Sequence, residues 1–207
     1  MAVYTKISEE KLRDFFLKYN LGKLLEHKEI KEGIENTNYF IRTESGKFIL
    51  TLYEKRVDEK DLPFFIGLMK NLYDQNFPSP QPIINNNGNY ISEILGKKAA
   101  VVSFVDGNAK KILSPDNCYN VGINTAKLHL ITNNLNAKRE NKLSINSWRK
   151  IYNKVKKDCS KIHSNLPNII EKNLDIIEKN WPKNIPSGII HADLFSDNIF
   201  FKENKLS

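Results

Sequence analysis

The feature that most constrains the fold is the segment of residues 189–201, in which apolar stretches flank a short polar loop. The loop carries His191, Asp193 and Asn198 in the spacing H-x-D-x-x-x-x-N. In phosphoryl-transfer enzymes this spacing sets a carboxylate against the acceptor hydroxyl and an amide against magnesium. Because this chemistry depends on positioning and charge neutralisation, one loop can supply much of what it needs. The pattern therefore predicts a phosphotransferase catalytic loop.

The same segment also fits a simpler structure, a strand followed by a polar turn and a second strand. The apolar residues that lead into the loop predict a strand over residues 188–191. In that simpler structure His191 and Asp193 would only bond to the backbone of the turn. The rest of the chain has to decide between the two interpretations.

The composition indicates a globular protein. Of the 207 residues, 40% are hydrophobic and 27% are charged, which is enough to bury a sizeable core. No apolar run is long enough to span a bilayer and the first ten residues contain no signal core, so we predict a soluble protein without membrane contact. Cys118 and Cys159 belong to no metal-binding or disulfide pattern, which is typical of a reducing, cytoplasmic location.

The net charge of +8 raises the question of nucleic-acid binding. The lysines are scattered, however, and the one dense basic cluster, residues 149–157, carries Ile151 and Val155 at helical spacing. Such a cluster is typical of the solvated face of a helix. We therefore predict that the protein does not bind nucleic acid, and that its basic surface favours an anionic nucleotide.

The first part of the chain predicts a helix followed by a β-hairpin. Ser8 precedes two acidic residues and can cap a helix. Residues 31–54 then change to strand periodicity around a tight Ser45-Gly46 turn. Residues 33–38 (GIENTN) lie just before the first of these strands and are rich in small polar side chains. They fit a loop that covers phosphates through backbone N–H groups, or alternatively an ordinary hairpin end.

A helix and a buried strand complete the first half. Residues 58–76 have one apolar face and end before a run of prolines. Residues 99–105 (AAVVSFV) form an apolar strand that ends at Asp106-Gly107, where the composition turns polar. This change predicts a hinge between two lobes.

The second half is mainly helical. Ser114 and Pro115 provide a cap and a first-turn proline, and further helices are expected over residues 145–163 and 167–180. The helix that follows Ser114 has one face formed by Val121, Thr125, Leu128 and Thr132.

These elements predict an α+β, bilobal architecture. Residues 1–105 would form a small β-rich lobe that binds a nucleotide, and residues 106–207 a helical lobe that carries the catalytic loop. The loops at 33–38 and 191–198 would then lie on opposite walls of a cleft. This agreement favours the phosphotransferase interpretation of the first segment.

Five segments of the sequence resemble bacterial homoserine kinases of the aminoglycoside-phosphotransferase-like superfamily: MAVYT, GIENTNYF, FILTLYEKR, DLPFFIGLMKNLY and HADLFSDNIFF. The H-x-D-x-x-x-x-N loop is typical of the whole superfamily, whereas ENTNY and LPFF indicate the homoserine kinase branch. The resemblance implies a protein-kinase-like fold with a small antiparallel lobe and a helical lobe. It also implies phosphorylation of the side-chain hydroxyl of L-homoserine, with ATP and Mg²⁺, on the route to threonine.

The resemblance also implies roles for individual residues. Asp193 would accept or orient the hydroxyl proton, Asn198 would hold magnesium, and His191 would brace the loop. A carboxylate at Glu59 or Asp61 would pair with a basic strand residue. The predicted nucleotide contacts are the phosphate-covering residues Asn36, Thr37 and Asn38, the strand residue Thr51, and the hinge residues Phe104 and Val105, whose backbone would meet adenine.

The sequence departs from the family pattern at two places. Thr51 stands where many members of the superfamily carry a phosphate-binding lysine or arginine, a role that Lys55 or Arg56 would then have to fill. Residues 202–207 contain Glu203 but not the second metal-binding aspartate that kinases carry after the catalytic loop. We therefore expect the chain to be an N-terminal fragment of a longer protein, with a helical lobe that is incomplete at the C-terminus, and to be inactive alone.

Alternative functions remain within and outside this class. Another acceptor, such as choline, a sugar or an aminoglycoside, would keep the same chemistry. A nucleotide-binding pseudokinase would explain Thr51 and the missing aspartate. A nucleic-acid binder would show a steep salt dependence. The residues themselves specify no oligomeric state.

Overall fold

The computed structural model describes residues 4–32, 35–54 and 57–207. These residues form two compact units, the first running to Ala137 and resuming at Gly188–Ser207, and the second comprising Lys138–Ser187. The predicted division into residues 1–105 and 106–207 sets the boundary elsewhere, and it stays a prediction.

The elements of the first unit are mostly short strands. In chain order they are α1 (Glu9–Phe16), β1 (Leu24–Ile30), β2 (Thr37–Thr43), β3 (Gly46–Leu52), a 3₁₀ turn (Glu59–Asp61), α2 (Leu62–Asp74), β4 (Pro82–Ile83), β5 (Ile91–Ile94), β6 (Lys97–Ser103), β7 (Asn108–Ala109), α3 (Pro115–Thr132), a second 3₁₀ turn (Ser196–Asn198), β8 (Phe200–Lys202) and β9 (Lys205–Leu206). The second unit contains α4 (Ile145–Ile162) and α5 (Leu166–Asn180).

The main sheet is antiparallel throughout, in the order β1-β2-β3-β6-β4, with β5 paired to the same edge of β6 as β4. Successive side chains of a strand point to opposite faces. On one face, alternate residues of β2 and β3 such as Ile41, Leu50 and Leu52 are fully buried, in a core that they share with α1. The other face carries the intervening residues, among them Ile49 and Val102, which are paired across β3 and β6.

Helix α1 begins where its sequence predicts. The hydroxyl of Ser8 accepts a hydrogen bond from the N–H of Lys11 at 3.4 Å, which caps the first turn. Leu12 is fully buried, and the rings of Phe15 and Phe16 meet edge to face at 5.5 Å. The helix therefore covers the core face of the sheet and leaves the opposite face to other parts of the molecule.

A second, three-stranded sheet joins the hinge region to the segment after the catalytic loop. Strand β8 pairs with β7 on one side and with β9 on the other, both antiparallel. Helix α3 starts beside this sheet with the predicted cap, since Ser114 and Asn117 form a reciprocal capping box. The ammonium group of Lys110 lies 5.2 Å from the ring centroid of Phe201 and bonds to Asn117 at 3.4 Å.

Two strand assignments differ from the sequence-based expectation. The predicted strand over residues 188–191 is wrong, because these residues pair with no strand in the described part of the chain. An apolar run becomes a strand only if a neighbouring strand takes up its backbone hydrogen bonds. The nearby strand β7 pairs with β8 and not with residues 188–191. Conversely, β1 was not predicted, since its sequence LLEHKEI is largely polar and only Leu24 is buried.

The second unit is a helical hairpin. Tyr152 and Cys159 of α4 and Leu174 of α5 form its small core, with Trp148 and Ile170 packed against them. The guanidinium of Arg149 bonds to Asp175 and Glu178 across the two helices, each at 2.7 Å.

A buried carboxylate closes one end of the main sheet. Glu54 lies two residues beyond the end of β3, and its side chain is only 8% exposed. It forms an ion pair with Lys97 at the start of β6, and it accepts hydrogen bonds from the hydroxyls of Thr5 and Thr37, each at 2.8 Å. These three donors satisfy a charge that would otherwise be costly to bury.

Replacing Glu54 by glutamine should lower stability at neutral pH more than in acid. Burial is the largest single influence and would raise the pKa of this carboxyl, but the hydrogen bonds from Lys97, Thr37 and Thr5 together hold that pKa below its ordinary value of 4.5. A carboxylate with a lowered pKa in the folded state stabilises the protein above its unfolded pKa. That stabilisation is lost as the pH falls through the folded pKa.

We therefore expect Glu54→Gln to lower the free energy of unfolding at pH 7 by about 1–2 kcal/mol in urea titrations. This difference should shrink as the pH falls below the ordinary carboxyl pKa of 4.5 and the wild-type side chain takes up its proton. A difference of constant size over this range would contradict the role of the charge. Glu26→Gln, which removes a carboxylate that is 30% exposed on β1, is the matched control and should show a much smaller effect.

Candidate active site

The catalytic loop is held together by the residues that define its sequence pattern. The side-chain amide of Asn198 donates to the carboxylate of Asp193 at 2.8 Å and to the backbone oxygen of Asp193 at 3.0 Å. The Nδ1 atom of His191 accepts the N–H of Asp193 at 3.3 Å. Ala192, between them, has a φ of 64°. The three predicted residues therefore form one bonded turn, in which His191 and Asn198 orient Asp193.

The carboxylate of Asp193 is exposed and is available to a ligand. One of its oxygens accepts from Asn198, whereas the other accepts no hydrogen bond from any residue of the described chain. A carboxylate in this state can accept a hydrogen bond from an acceptor hydroxyl.

A cavity of about 820 Å³ lies next to this loop, entirely within the first unit. This volume lies in the range of small-molecule sites. The predicted residues His191, Asn198, Phe104 and Val105 all line it. The structure thus brings the hinge and the catalytic loop, about ninety residues apart in sequence, to the same cavity.

Apolar side chains dominate the cavity wall. They come from the face of the sheet opposite α1, from α2, from α3 and from the residue after the catalytic loop; examples are Ile49, Val102, Phe65, Met69, Val121, Leu128 and Ile199. A wall of this kind suits a flat heteroaromatic ring such as a nucleobase.

Sequence reasoning missed the contribution of α3 to the cavity. Val121, Thr125 and Leu128 line it together. The signal was present, because the three residues were recognised as one face of a helix. What the spacing did not reveal was that this face borders a ligand cavity rather than a closed core.

The two hinge residues differ in their backbone N–H groups: that of Phe104 is hydrogen-bonded, and that of Val105 has no partner in the described part of the chain. The N–H of Phe104 donates to the backbone oxygen of Lys47 on β3 at 3.0 Å, and the rings of Phe104 and Phe40 meet edge to face at 5.4 Å. The N–H of Val105 donates to no residue of the described chain. An N–H group at the rim of an apolar cavity can recognise an acceptor nitrogen of a base.

The predicted phosphate-covering residues divide between the two faces of the sheet. Asn38 and Thr51 lie opposite each other on β2 and β3, and the hydroxyl of Thr51 donates to Asn38 at 2.8 Å on the face that carries Ile49. The Thr37 side chain is fully buried on the other face, where it bonds to Glu54. None of these residues is among those that line the cavity.

The remaining sequence predictions fall at the edge of the described region or outside it. Gly33 and Ile34 of the predicted loop, and the proposed substitutes Lys55 and Arg56, lie outside the described residues. Asn36 is described, and its side-chain oxygen accepts the N–H of Glu54 at 3.3 Å. Glu59 and Asp61 lie in the 3₁₀ turn that precedes α2, and the pairing expected of them stays a prediction.

The residues around the loop fit a magnesium ion that is held mainly by phosphates. Within residues 4–32, 35–54 and 57–207, no group of three or more His, Cys, Asp or Glu side chains is placed to hold a metal ion alone. A nucleotide-bound Mg²⁺ needs only one or two protein ligands, since phosphate oxygens and water complete its octahedron. The amide nitrogen of Asn198 is committed to Asp193, which leaves its oxygen as an available ligand.

The antiparallel sheet and the H-x-D-x-x-x-x-N loop beside one cavity are the arrangement expected of the kinase-like phosphotransferase family. The sequence matches the model of the phosphotransferase enzyme family over residues 26–207, and the chain belongs to this family. The family membership expected from the sequence is therefore confirmed.

Within the family, the chain is similar to homoserine kinases of Brucella. It is 43% identical to the homoserine kinase of Brucella ovis over 207 residues, which is 100% of this chain and 64% of that protein. The homoserine kinase of Brucella canis gives the same identity and coverage. The chain thus spans a little under two thirds of the length of these relatives.

Solved structures confirm the predicted fold class. A spectinomycin phosphotransferase, crystallised with ADP and spectinomycin, superposes with a TM-score of 0.65 at 15% identity, over 98% of this chain and 68% of that chain. An aminoglycoside phosphotransferase from Alicyclobacillus acidocaldarius gives a TM-score of 0.62 at 9% identity, over 99% and 65% of the two chains. The α+β combination of an antiparallel sheet and a helical region is that of the aminoglycoside phosphotransferases.

No helix in the described part of the chain combines the length and the apolar character that a membrane crossing requires.

Proposed function

We propose that this protein transfers the γ-phosphoryl group of ATP to the side-chain hydroxyl of L-homoserine. The observation that carries the proposal is the hydrogen bond between Asp193 and Asn198, of which Asn198 lines the cavity, in a chain that is 43% identical along its whole length to homoserine kinases. The proposal includes the cofactors expected from the sequence, ATP and Mg²⁺.

The cavity supplies the nucleotide seat. Adenine would lie against Ile49, Val102 and Ile199, with the free N–H of Val105 at its edge. The phosphates would then extend along the sheet face that carries Asn38 and Thr51. In this arrangement the γ-phosphate reaches the catalytic loop, where His191 and Asn198 line the same cavity.

The catalytic loop supplies the acceptor side of the reaction. Asp193 would accept the hydrogen bond of the homoserine hydroxyl and orient its oxygen towards the γ-phosphorus. A bond forms between that oxygen and phosphorus as the bond to the departing ADP oxygen breaks, and the hydroxyl proton passes to Asp193. A bound Mg²⁺ would neutralise charge on the phosphates, and the Asn198 oxygen would be its protein ligand.

The direct test is a comparison of acceptors with the purified protein expressed from its full reading frame, because residues 1–207 are expected to be inactive alone. ADP release would be followed with L-homoserine, choline, a hexose and spectinomycin at equal concentrations, with Mg²⁺ present. We expect release that depends on homoserine, with a kcat/KM at least about a hundredfold above that of the other acceptors. Turnover with a different acceptor alone would overturn the substrate assignment and keep the reaction class.

A nucleotide-binding pseudokinase is the second candidate, and one observation favours it. Thr51 occupies the strand position where a phosphate-binding cation is common, and its hydroxyl is used to bond Asn38. Under this candidate, ATP binds but no acceptor in the panel releases ADP. Binding without turnover would therefore favour this function over the first.

Replacing Asn198 by alanine should raise the magnesium requirement. The substitution removes both the proposed metal ligand and the two hydrogen bonds that orient Asp193. We expect the Mg²⁺ concentration at half-maximal activity to rise at least about tenfold, together with a fall in kcat. An unchanged magnesium titration would count against the assignment. Asn173→Ala, which removes an exposed side chain from α5, is a matched control that should leave the titration as it is.

A further inference from the structure

We propose that Glu54 is a positioning residue for the phosphates of the nucleotide, although it lies on the opposite face of the sheet and does not touch them. From there it holds the start of β2, and with it the side chains of Asn36 and Asn38, in the arrangement that a nucleotide meets. The inference rests on the proposed function, since it assumes that phosphates lie along this sheet face.

The location of Glu54 excludes direct contact with the cleft. Leu50 and Leu52 of β3 point into the core beneath α1, and Glu54, two residues beyond the strand, bonds the buried Thr37 on that same side. Its ion-pair partner Lys97 lies across from it at the start of β6, just before the core residue Ala99. The pair is therefore not the lysine–glutamate pair that contacts phosphates in kinases.

The hydroxyl of Thr37 makes all the hydrogen bonds it can, and Glu54 accepts the one that it donates. The Thr37 oxygen accepts the backbone N–H groups of Tyr4 at 3.0 Å and Thr5 at 3.2 Å. A hydroxyl has one hydrogen and two acceptor positions, so its hydrogen is left for the carboxylate of Glu54, at 2.8 Å. The same carboxylate oxygen takes the hydroxyl of Thr5 at 2.8 Å. One charge thus joins the segment before α1, the start of β2 and the end of β3.

This network is continuous with the predicted phosphate-covering residues. The backbone N–H of Glu54 donates to the side chain of Asn36 at 3.3 Å, and Thr37 is the next residue. Since neighbouring side chains of a strand point to opposite faces, fixing Thr37 on the core face directs Asn38 to the other face, where it bonds Thr51 at 2.8 Å. The charge on Glu54 therefore fixes Thr37, which lies between the two residues, Asn36 and Asn38, that are proposed to meet the phosphates.

The chemistry of the cluster indicates positioning rather than stability alone. Apolar residues of similar volume can often replace a buried ion pair without loss of stability. A carboxylate with three side-chain donors instead selects one arrangement of the groups around it. Glutamine keeps the volume and one acceptor oxygen, but its NH₂ group would face the ammonium of Lys97, so it cannot serve all partners at once.

The test compares the affinities for ATP and adenosine by calorimetry on the same protein samples. The affinity for adenosine measures binding of the nucleoside in the cavity. The ratio of the two dissociation constants measures what the phosphates add to binding. We expect Glu54→Gln to raise the dissociation constant of ATP about tenfold and to leave that of adenosine within about twofold. Replacing Lys97 by methionine in the same variant removes the conflict between two donors, and should restore part of the loss.

Glu26→Gln is the matched control. It makes the same change of charge on an ion pair within the same sheet, where Glu26 bonds Lys28 at 2.7 Å and Arg42 at 2.9 Å. Because this pair is remote from the start of β2 in the register, the ratio of the two affinities should stay that of the wild type. A purely structural role for Glu54 would lower the unfolding temperature without changing the ratio in the folded protein.

The possible results separate the inference from the function on which it rests. A wild-type protein that binds neither adenosine nor ATP would overturn both. A wild-type preference for ATP that Glu54→Gln leaves intact would overturn the inference alone. If Glu54→Gln does not fold, Thr5→Val removes one donor of the same cluster and should raise the ATP-to-adenosine ratio about threefold. An unchanged ratio in that variant would equally overturn the inference.

Discussion

Replacing Asp193 by asparagine should lower kcat by about three to four orders of magnitude and leave the affinity for ATP nearly unchanged. Asparagine has the same shape, and its side-chain oxygen can still accept the amide of Asn198, which reaches Asp193 at 2.8 Å. The loop geometry should therefore persist, while the group proposed to accept and orient the hydroxyl proton is lost. The measurement is ADP release with homoserine, together with an ATP dissociation constant for each protein.

A neighbouring carboxylate provides the control for this prediction. Asp197 lies in the 3₁₀ turn of the same loop, and it is exposed. Asp197→Asn removes the same charge at a distance of four residues and should keep kcat within about a factor of two. The assignment of Asp193 would fail if its asparagine variant turned over like the wild type. Equal losses in both variants would indicate a general electrostatic effect instead.

Replacing Gly107 by alanine should destabilise the first unit by about 3 kcal/mol. Gly107 has a φ of 148°, a conformation that L-residues rarely adopt. A Cβ atom there would lie 3.1 Å from the backbone carbon and oxygen of Phe201 and 2.6 Å from the Ser207 hydroxyl. The Ser207 side chain can rotate away, but the Phe201 backbone is part of a strand paired with β7. The methyl group therefore presses on the segment that follows the catalytic loop.

Gly88→Ala separates this steric clash from backbone strain. Gly88 also has a positive φ, 78°, but a Cβ there would meet no atom within 4 Å. Alanine at this turn should cost only about 1 kcal/mol. Urea unfolding of both variants gives the difference directly. Equal losses of stability in the two variants would mean that the contact between Gly107 and β8 contributes nothing to stability. A larger loss for Gly107→Ala, with a fall in kcat, would support close packing at this position.

If both predictions hold, two kinds of contact keep the catalytic loop in its conformation. Within the loop, the amide of Asn198 and the ring of His191 orient Asp193 through bonds of 2.8 to 3.3 Å. Beyond the loop, the contact between Gly107 and Phe201 leaves no room for a side chain between the hinge and β8. A substitution at the hinge would then change catalysis without touching either substrate.

Much of the local structure could be predicted from the sequence because its causes are local. The caps at Ser8 and Ser114 precede helices as expected, and the alternation in residues 37–52 defines a hairpin. The prediction of a strand over residues 188–191 was wrong for the complementary reason. An apolar run does not show whether another strand will be beside it, and here none is, within the residues that the structure describes.

The sequence by itself determined the local structure of the catalytic loop. The two residues that orient Asp193 are His191 and Asn198, which lie within five residues of it in the chain. Only the tertiary structure decided on which face of the sheet the side chains of residues 36–38 lie. It also decided that α3 lines the cavity, and that Glu54 forms an ion pair with Lys97, 43 residues further on. The physical reason is range. A turn is set by the hydrogen bonds of adjacent residues, whereas contacts between distant strands depend on strand order and register, which arise only when the whole core is buried.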